Sequence, residues 1–137
     1  MPAKLDPISQ LNYGWPKGEN DWATGMDENL RRIGVLLQNG IKSHTTQVPA
    51  SPAVGDLYIV PPSATGLWAG KDGQIATWEA ATWFFVVPRN GLIMYNTTTK
   101  DILVYNGSTW VSVVATDPTY AAFKAAYDAF VTSVLQW

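Results

Sequence analysis

The chain contains no cysteine, which removes disulfides, thiolate nucleophiles and Cys-type zinc sites together. Rigidity must come from packing or from association with other chains. Histidine occurs once, at His44, in a Ser/Thr-rich stretch with no acid patterned beside it. A His-based triad has only that residue to draw on, and no Gly-x-Ser-x-Gly elbow stands in the sequence. Charge is scarce: 15% of the 137 residues are Asp, Glu, Lys or Arg, against roughly a quarter in an ordinary globular domain. Positive charge never clusters beyond Arg31-Arg32, so the phosphate contacts that nucleic-acid binding demands have no source. No apolar run approaches the length of a membrane span, and Met1-Pro2-Ala3-Lys4-Leu5-Asp6-Pro7 holds no apolar signal core. Synthesis in the cytoplasm of the producing cell, without membrane insertion, is expected. Gly70-Lys71-Asp72-Gly73 matches neither a Walker loop nor a dinucleotide fingerprint. The acidic residues are scattered rather than paired for glycosidase work. These absences lead us to expect no enzymatic activity, no cofactor and no metal.

What is present is apolar and aromatic. Hydrophobic residues make up 47%, with seven Trp and six Tyr. Such side chains combine large contact area with a polar tip, which suits either an aromatic-rich β core or a surface buried by another chain. The length allows one modest domain, or a small domain with appended helices.

The pattern predicts an α+β chain in four parts: an arm and helix over 1–42, a Pro/Ser/Thr linker over 43–56, a small antiparallel β domain of short hairpins over 57–115, and a C-terminal helix over 116–137. Pro2, Pro7, Pro16, Gly14 and Gly18 break periodicity in residues 1–20 and predict an extended arm. Its apolar residues Leu5, Ile8, Leu11, Tyr13 and Trp15, with Trp22 beyond, form a candidate attachment interface. A helix follows over about 22–38, capped by Asn20 or Asp21 and ended by Asn39-Gly40. Its stripe is Trp22, Met26, Leu30, Ile33 and Leu37, broadened by Val35 and Leu36, and Asp27–Arg31 and Glu28–Arg32 are favourably oriented i,i+4 pairs.

Strands are expected at 57–60, 74–78, 82–87, 91–95, 101–105 and 108–114. Asn106-Gly107 reads as a two-residue hairpin turn, and Glu79-Ala80-Ala81 as the turn of the hairpin 74–87. Ile75–Trp83 and Ile102–Trp110 repeat one another 27 residues apart, each with an aromatic before the turn and Thr-Trp after it. Those aromatics either pack across their hairpins or form a glycan platform of Trp78, Trp83, Tyr105 and Trp110. At the C-terminus, Asp117 is the expected cap and Pro118 suits the first turn. Tyr120, Phe123, Tyr127, Phe130, Val134 and Trp137 alternate spacings of three and four, the heptad seam of an oligomer-forming helix. Folding back onto the chain's own sheet is the other reading of that seam.

Two stretches resemble phage proteins. Tyr13-Gly-Trp15-Pro-Lys-Gly-Glu-Asn-Asp-Trp22, continuing to Asn29-Leu30, is similar to the segment near the N-terminus of many tail fibre and baseplate-associated proteins. The runs Gly55-Asp-Leu-Tyr-Ile-Val60, Ala64-Thr-Gly-Leu-Trp-Ala-Gly70 and Ile75-Ala-Thr-Trp78 resemble an uncharacterised domain family of phage and prophage tail proteins, also met in gene-transfer-agent-like particles. That likeness spans roughly residues 5–112. It implies a structural virion protein of the tail (baseplate or short fibre adaptor), homotrimeric and bound to other tail or baseplate proteins. It carries no catalytic residue. The alternative is a carbohydrate-binding or host-receptor-binding module that recognises a surface glycan through exposed Trp and Tyr.

Overall fold

The computed structural model describes residues 4–113 and 118–136. Asp117, the expected helix cap, Trp137, the last expected seam residue, and Val114, the end of the last expected strand, lie outside them. Among the described residues the chain is α+β, with two helices and short strands in three sheets.

The arm is folded rather than extended. β1 (Lys4–Leu5) pairs antiparallel with β2 (Asn12–Tyr13). Asp6 turns the chain between them: its carboxylate accepts from the Ser9 amide at 2.5 Å and from the Ser9 hydroxyl, and its carbonyl accepts from the Gln10 amide at 2.9 Å. The Ser9 hydroxyl and amide hold the Asp6 carboxyl below its ordinary pKa. Pro7 therefore opens a turn instead of prolonging an extended run.

Helix α1 spans Trp22–Leu37, with Asp21 at the N-cap position making no side-chain cap bond. Glu28 and Arg32 pair as expected at 2.7 Å. Arg31 does not take Asp27. It reaches Glu79 with its Nε at 2.8 Å and its Nη2 in the same carboxylate fork, and its guanidinium lies 4.3 Å above the Phe84 ring. Asn39-Gly40 does not cap the helix either. Gly40 avoids the left-handed region and opens β3 (Gly40–Ile41), where an added Cβ would stand 3.2 Å from the Thr97 methyl.

The body is two antiparallel meanders joined through one short strand. The first is β4 (Leu57–Ile59), β5 (Ile75–Trp78) and β6 (Trp83–Val86); the second is β7 (Ile93–Asn96), β8 (Asp101–Tyr105) and β9 (Trp110–Ser112). Every expected strand is present, but pairing is not all antiparallel. β3 lies parallel to β7, and its continuation meets β4 in parallel through the bridge Ser43–Tyr58, with Lys42 N donating to Leu57 O and Ile59 N to Ser43 O. Residues 40–43 thus serve both meanders.

The repeat visible in the hairpins extends through the whole meander. Gly55 N donates to Trp78 O at 2.9 Å, and Gly91 N to Tyr105 O at 2.7 Å. Both glycines close a Pro-x-x-Gly turn, starting at Pro52 and Pro88. At the hairpin tips, Glu79 N donates to Thr82 O and Asn106 N to Thr109 O, so each turn has four residues between the paired aromatics. The two-residue turn expected at Asn106-Gly107 is longer because the Asn106 carboxamide oxygen accepts from the Ser108 and Thr109 amides, at 3.0 and 2.9 Å. Gly107 adopts φ +96°; its counterpart in the first meander is Ala80, held at φ +71°, a conformation that favours glycine.

Two apolar clusters result. Val35 of α1 joins Ile41, Leu57, Ile59, Ile75, Val86, Met94 and Leu103 in one; Tyr58, Val60, Ala64, Trp68, Ala76 and Trp83 form the other, on the opposite face of the first meander. Trp68 ends a 3-10 turn over Gly66–Trp68 and is fully buried, while its neighbour Leu67 is exposed. Its ring lies 5.0 Å from that of Trp83 and 5.8 Å from that of Tyr58.

Candidate functional site

The features that stand apart from the folded body are on the helices. α2 spans Pro118–Leu135 and has no buried residue. Its expected seam residues Tyr120, Phe123, Tyr127, Phe130 and Val134 are all exposed, Phe123 by 67% and Phe130 by 66%. The rings of Phe123 and Tyr127 stack at 6.4 Å. Only Lys124 and Asp128 carry charge, and they pair with each other at 2.5 Å. Alanines and Val131 occupy much of the remaining surface, so the helix is apolar nearly all round. That composition belongs to a helix enclosed by other elements. No helix among the described residues is long and apolar enough to cross a membrane.

The first helix presents a second such surface. Its expected apolar stripe faces outward: Trp22, Met26, Leu30 and Leu37 are exposed, Leu30 by 60%, and Ile33 is half-buried. The part of the expected stripe that packs is Val35 and Leu36, which meet the core beside the buried Asn29. Spacing alone locates a stripe without saying what covers it.

Asn29 explains why the other face is turned inward. Its carboxamide oxygen accepts from the Asn12 amide at 2.6 Å, and its nitrogen donates to the Asn12 carbonyl at 2.7 Å. One side chain thereby completes a strand-like pairing with β2 and fastens the arm to the helix. Beside it, the arm's Trp15 lies so close to Gly25 that an added Cβ there would stand 2.8 Å from its ring. Of the expected attachment residues, Leu11 and Trp15 are half-buried, whereas Leu5, Ile8, Tyr13 and Trp22 are exposed. Arg89 also bonds the Pro7 carbonyl, tying the arm to the β6–β7 connection. Sequence reasoning missed Asn29 because a polar residue at a helical position reads as a solvated one. Asn29→Ala removes the partner of the half-buried Asn12 N–H and C=O, which costs about 1–3 kcal/mol. The expected result is faster proteolytic cleavage within residues 4–20, measured against the parent chain.

The expected glycan residues fall into two separate pairs. Trp78 and Trp83 pack at 5.1 Å across the first hairpin, and Tyr105 and Trp110 at 5.3 Å across the second. Trp83 is buried in the second cluster. Trp110 packs against the first, and its Nε1 donates to Gly73 O at 2.8 Å. Trp110 also lines a cleft of about 380 Å³ together with His44, Thr45, Asp72, Ser108 and Thr109. His44 Nδ1 lies 3.1 Å from the amide nitrogen of the buried Asn96. Both Asp72 oxygens are engaged, accepting from the Ser63 and Ala64 amides at 2.7 and 3.1 Å. Among the described residues no group of three or more His, Asp or Glu side chains could hold a metal ion.

The structure thus defines a small α+β protein whose body is a doubled β-meander carrying an outward-facing helix stripe. The chain belongs to the family described as protein of unknown function DUF2793, which matches residues 26–111. The match takes in α1 from Met26 onward and the two meanders as far as Val111 in β9. It begins later than the roughly 5–112 expected from the sequence, leaving the arm and α2 outside. The family is an uncharacterised one and brings no activity with it. No curated protein matches the chain.

Proposed function

We propose that the chain is a non-enzymatic structural subunit of a bacteriophage tail, a baseplate or short-fibre adaptor that associates with itself as a trimer and docks on other tail proteins. The observation that carries the self-association is α2: eighteen residues with an exposed aromatic seam and no buried side chain. A lone helix of that length is marginal in water, so burial of the seam is what makes it persist. The placement in a phage tail rests on the sequence resemblances at 13–30 and 55–78. Exposed Leu5, Ile8, Tyr13 and Trp22 on the folded arm supply apolar area for a tail neighbour. The direct test is microscopy of intact particles with antibody raised against this chain. Label at the baseplate or fibre root is expected; particles that lack the chain would refute the assignment.

A second reading, a carbohydrate- or host-receptor-binding module, is favoured by the cleft that Trp110 lines together with the hydroxyl-bearing Thr45, Ser108 and Thr109. A glycan array separates the two. Binding that Thr45→Arg abolishes by filling the exposed rim supports recognition at this cleft, and an array without signal removes it.

A further inference from the structure

We propose that the seam of α2 in one copy of this chain lies antiparallel along the exposed stripe of α1 in a neighbouring copy. The inference rests on reading α2 as the assembly element and names the surface that receives it.

Among the described residues, two outward-facing stripes of the same period occur in one chain. Met26, Leu30, Ile33 and Leu37 are spaced four, three and four, and Phe123, Tyr127, Phe130 and Val134 are spaced four, three and four. That is the repeat by which helices interdigitate side by side. The helices have 16 and 18 residues, about 24 and 27 Å long, so the stripes are matched in extent.

Size favours α1 over a second α2 as the receiving surface. Large rings set against large rings leave two α2 helices far apart, whereas α1 offers aliphatic side chains and Gly34. A side chain built at Gly34 meets nothing within 4 Å, so a gap lies open beside Leu30, Ile33 and Leu37. An antiparallel register fills every layer at once: Met26 with Val134, Leu30 with Phe130, Ile33 with Tyr127, and Leu37 with Phe123. Three of the four layers set an aromatic ring against an aliphatic side chain.

Charge agrees with that direction. In this register Lys124 falls beside Gly34 and toward the C-terminal end of α1, where the last carbonyls carry partial negative charge. The helix dipoles also oppose one another. Because the two stripes are different surfaces, the contact is head-to-tail, and repeated around a three-fold axis it closes into a ring without leaving a stripe uncovered.

The absence of cysteine makes the test clean. Leu37→Cys and Phe123→Cys sit at exposed positions, so neither substitution disturbs the core. The two single variants, tagged to differ in mass, are co-expressed as full chains, oxidised and separated on a denaturing gel, with the mass in solution measured by light scattering. A mixed disulfide between L37C and F123C copies is the expected major product, because antiparallel packing brings those Cα atoms within about 7 Å. An L37C and V134C pair, which only parallel packing unites, is expected to give less than about a tenth as much. An oligomer in which F123C links only to itself, or L37C only to V134C, overturns the proposed contact while leaving the assembly reading intact. A monomer without mixed product overturns both. In an L37C, F123C double variant oxidised alone as a control, linkage only within the chain shows that α2 folds back on its own α1 and likewise overturns the intermolecular contact.

Discussion

Trp68→Ala is expected to cost about 3–5 kcal/mol, a large share of the roughly 5–15 kcal/mol that holds a domain of this size together. The residue is fully enclosed, and its neighbours Tyr58 and Trp83 are themselves large rings fixed on β4 and β6. They cannot close over the space that the indole leaves. Urea unfolding should therefore show a midpoint so low that part of the variant is unfolded without denaturant. Trp68→Phe provides the internal comparison. The Trp68 Nε1 has no hydrogen-bond partner among the described residues, so phenylalanine removes a buried donor while keeping most of the apolar volume. Its cost is expected to be less than half that of alanine. Equal losses for the two would show that the second cluster contributes little to stability.

The second large effect is on association. In a Phe123→Asp, Phe130→Asp double variant, both changes lie on the exposed face of a helix with no buried residue. The melting of the β body should stay within about 0.5 kcal/mol of the parent, as for surface changes that touch no special feature. Self-association should weaken by at least about 100-fold, since two aromatic anchors worth more than 1 kcal/mol each are replaced by charges that resist burial. Analytical ultracentrifugation over a concentration series reads the difference. An unchanged sedimentation profile would exclude α2 as the joining element.

Much of this architecture is written in short-range signals. Alternation and turn residues locate all six strands of the two meanders, because period-two burial and hairpin chemistry are local properties. The apolar stripe of α1 and the seam of α2 are equally plain in the spacing of Trp22, Met26 and Leu30 and of Phe123, Tyr127 and Phe130. What spacing cannot carry is the identity of the covering surface. The stripe of α1 is the face left outside, and the packed face is marked instead by Asn29, which pairs with the β2 backbone, and by Gly25, which admits Trp15.

Non-local contacts account for the other departures. Gly40 reads as a helix stop until Thr97, far along the chain, comes to rest against it. Arg31 has a helical partner by sequence but is drawn to Glu79 on a hairpin tip, where Phe84 adds the face of its ring. Trp68 lies in Gly66-Leu67-Trp68-Ala69-Gly70, a run whose glycines suggest a surface loop; only the closing of the first meander determines that Leu67 stays outside and Trp68 goes in. The four aromatics weighed as a glycan platform fall into two pairs for a similar reason. Each aromatic pair satisfies its own hairpin, and the two hairpins belong to different sheets.

The strand at residues 40–43 has a consequence for the order in which the chain folds. Each meander is made of contacts between neighbours in sequence, which form early and at small entropic cost. Residues 40–43 gain their hydrogen bonds only when Leu57 and Ile59 on one side and Tyr95 and Thr97 on the other are already in place. The segment therefore acts as a keystone: its bonds need both halves in place, and with the shared apolar cluster they tie the unfolding of one meander to that of the other.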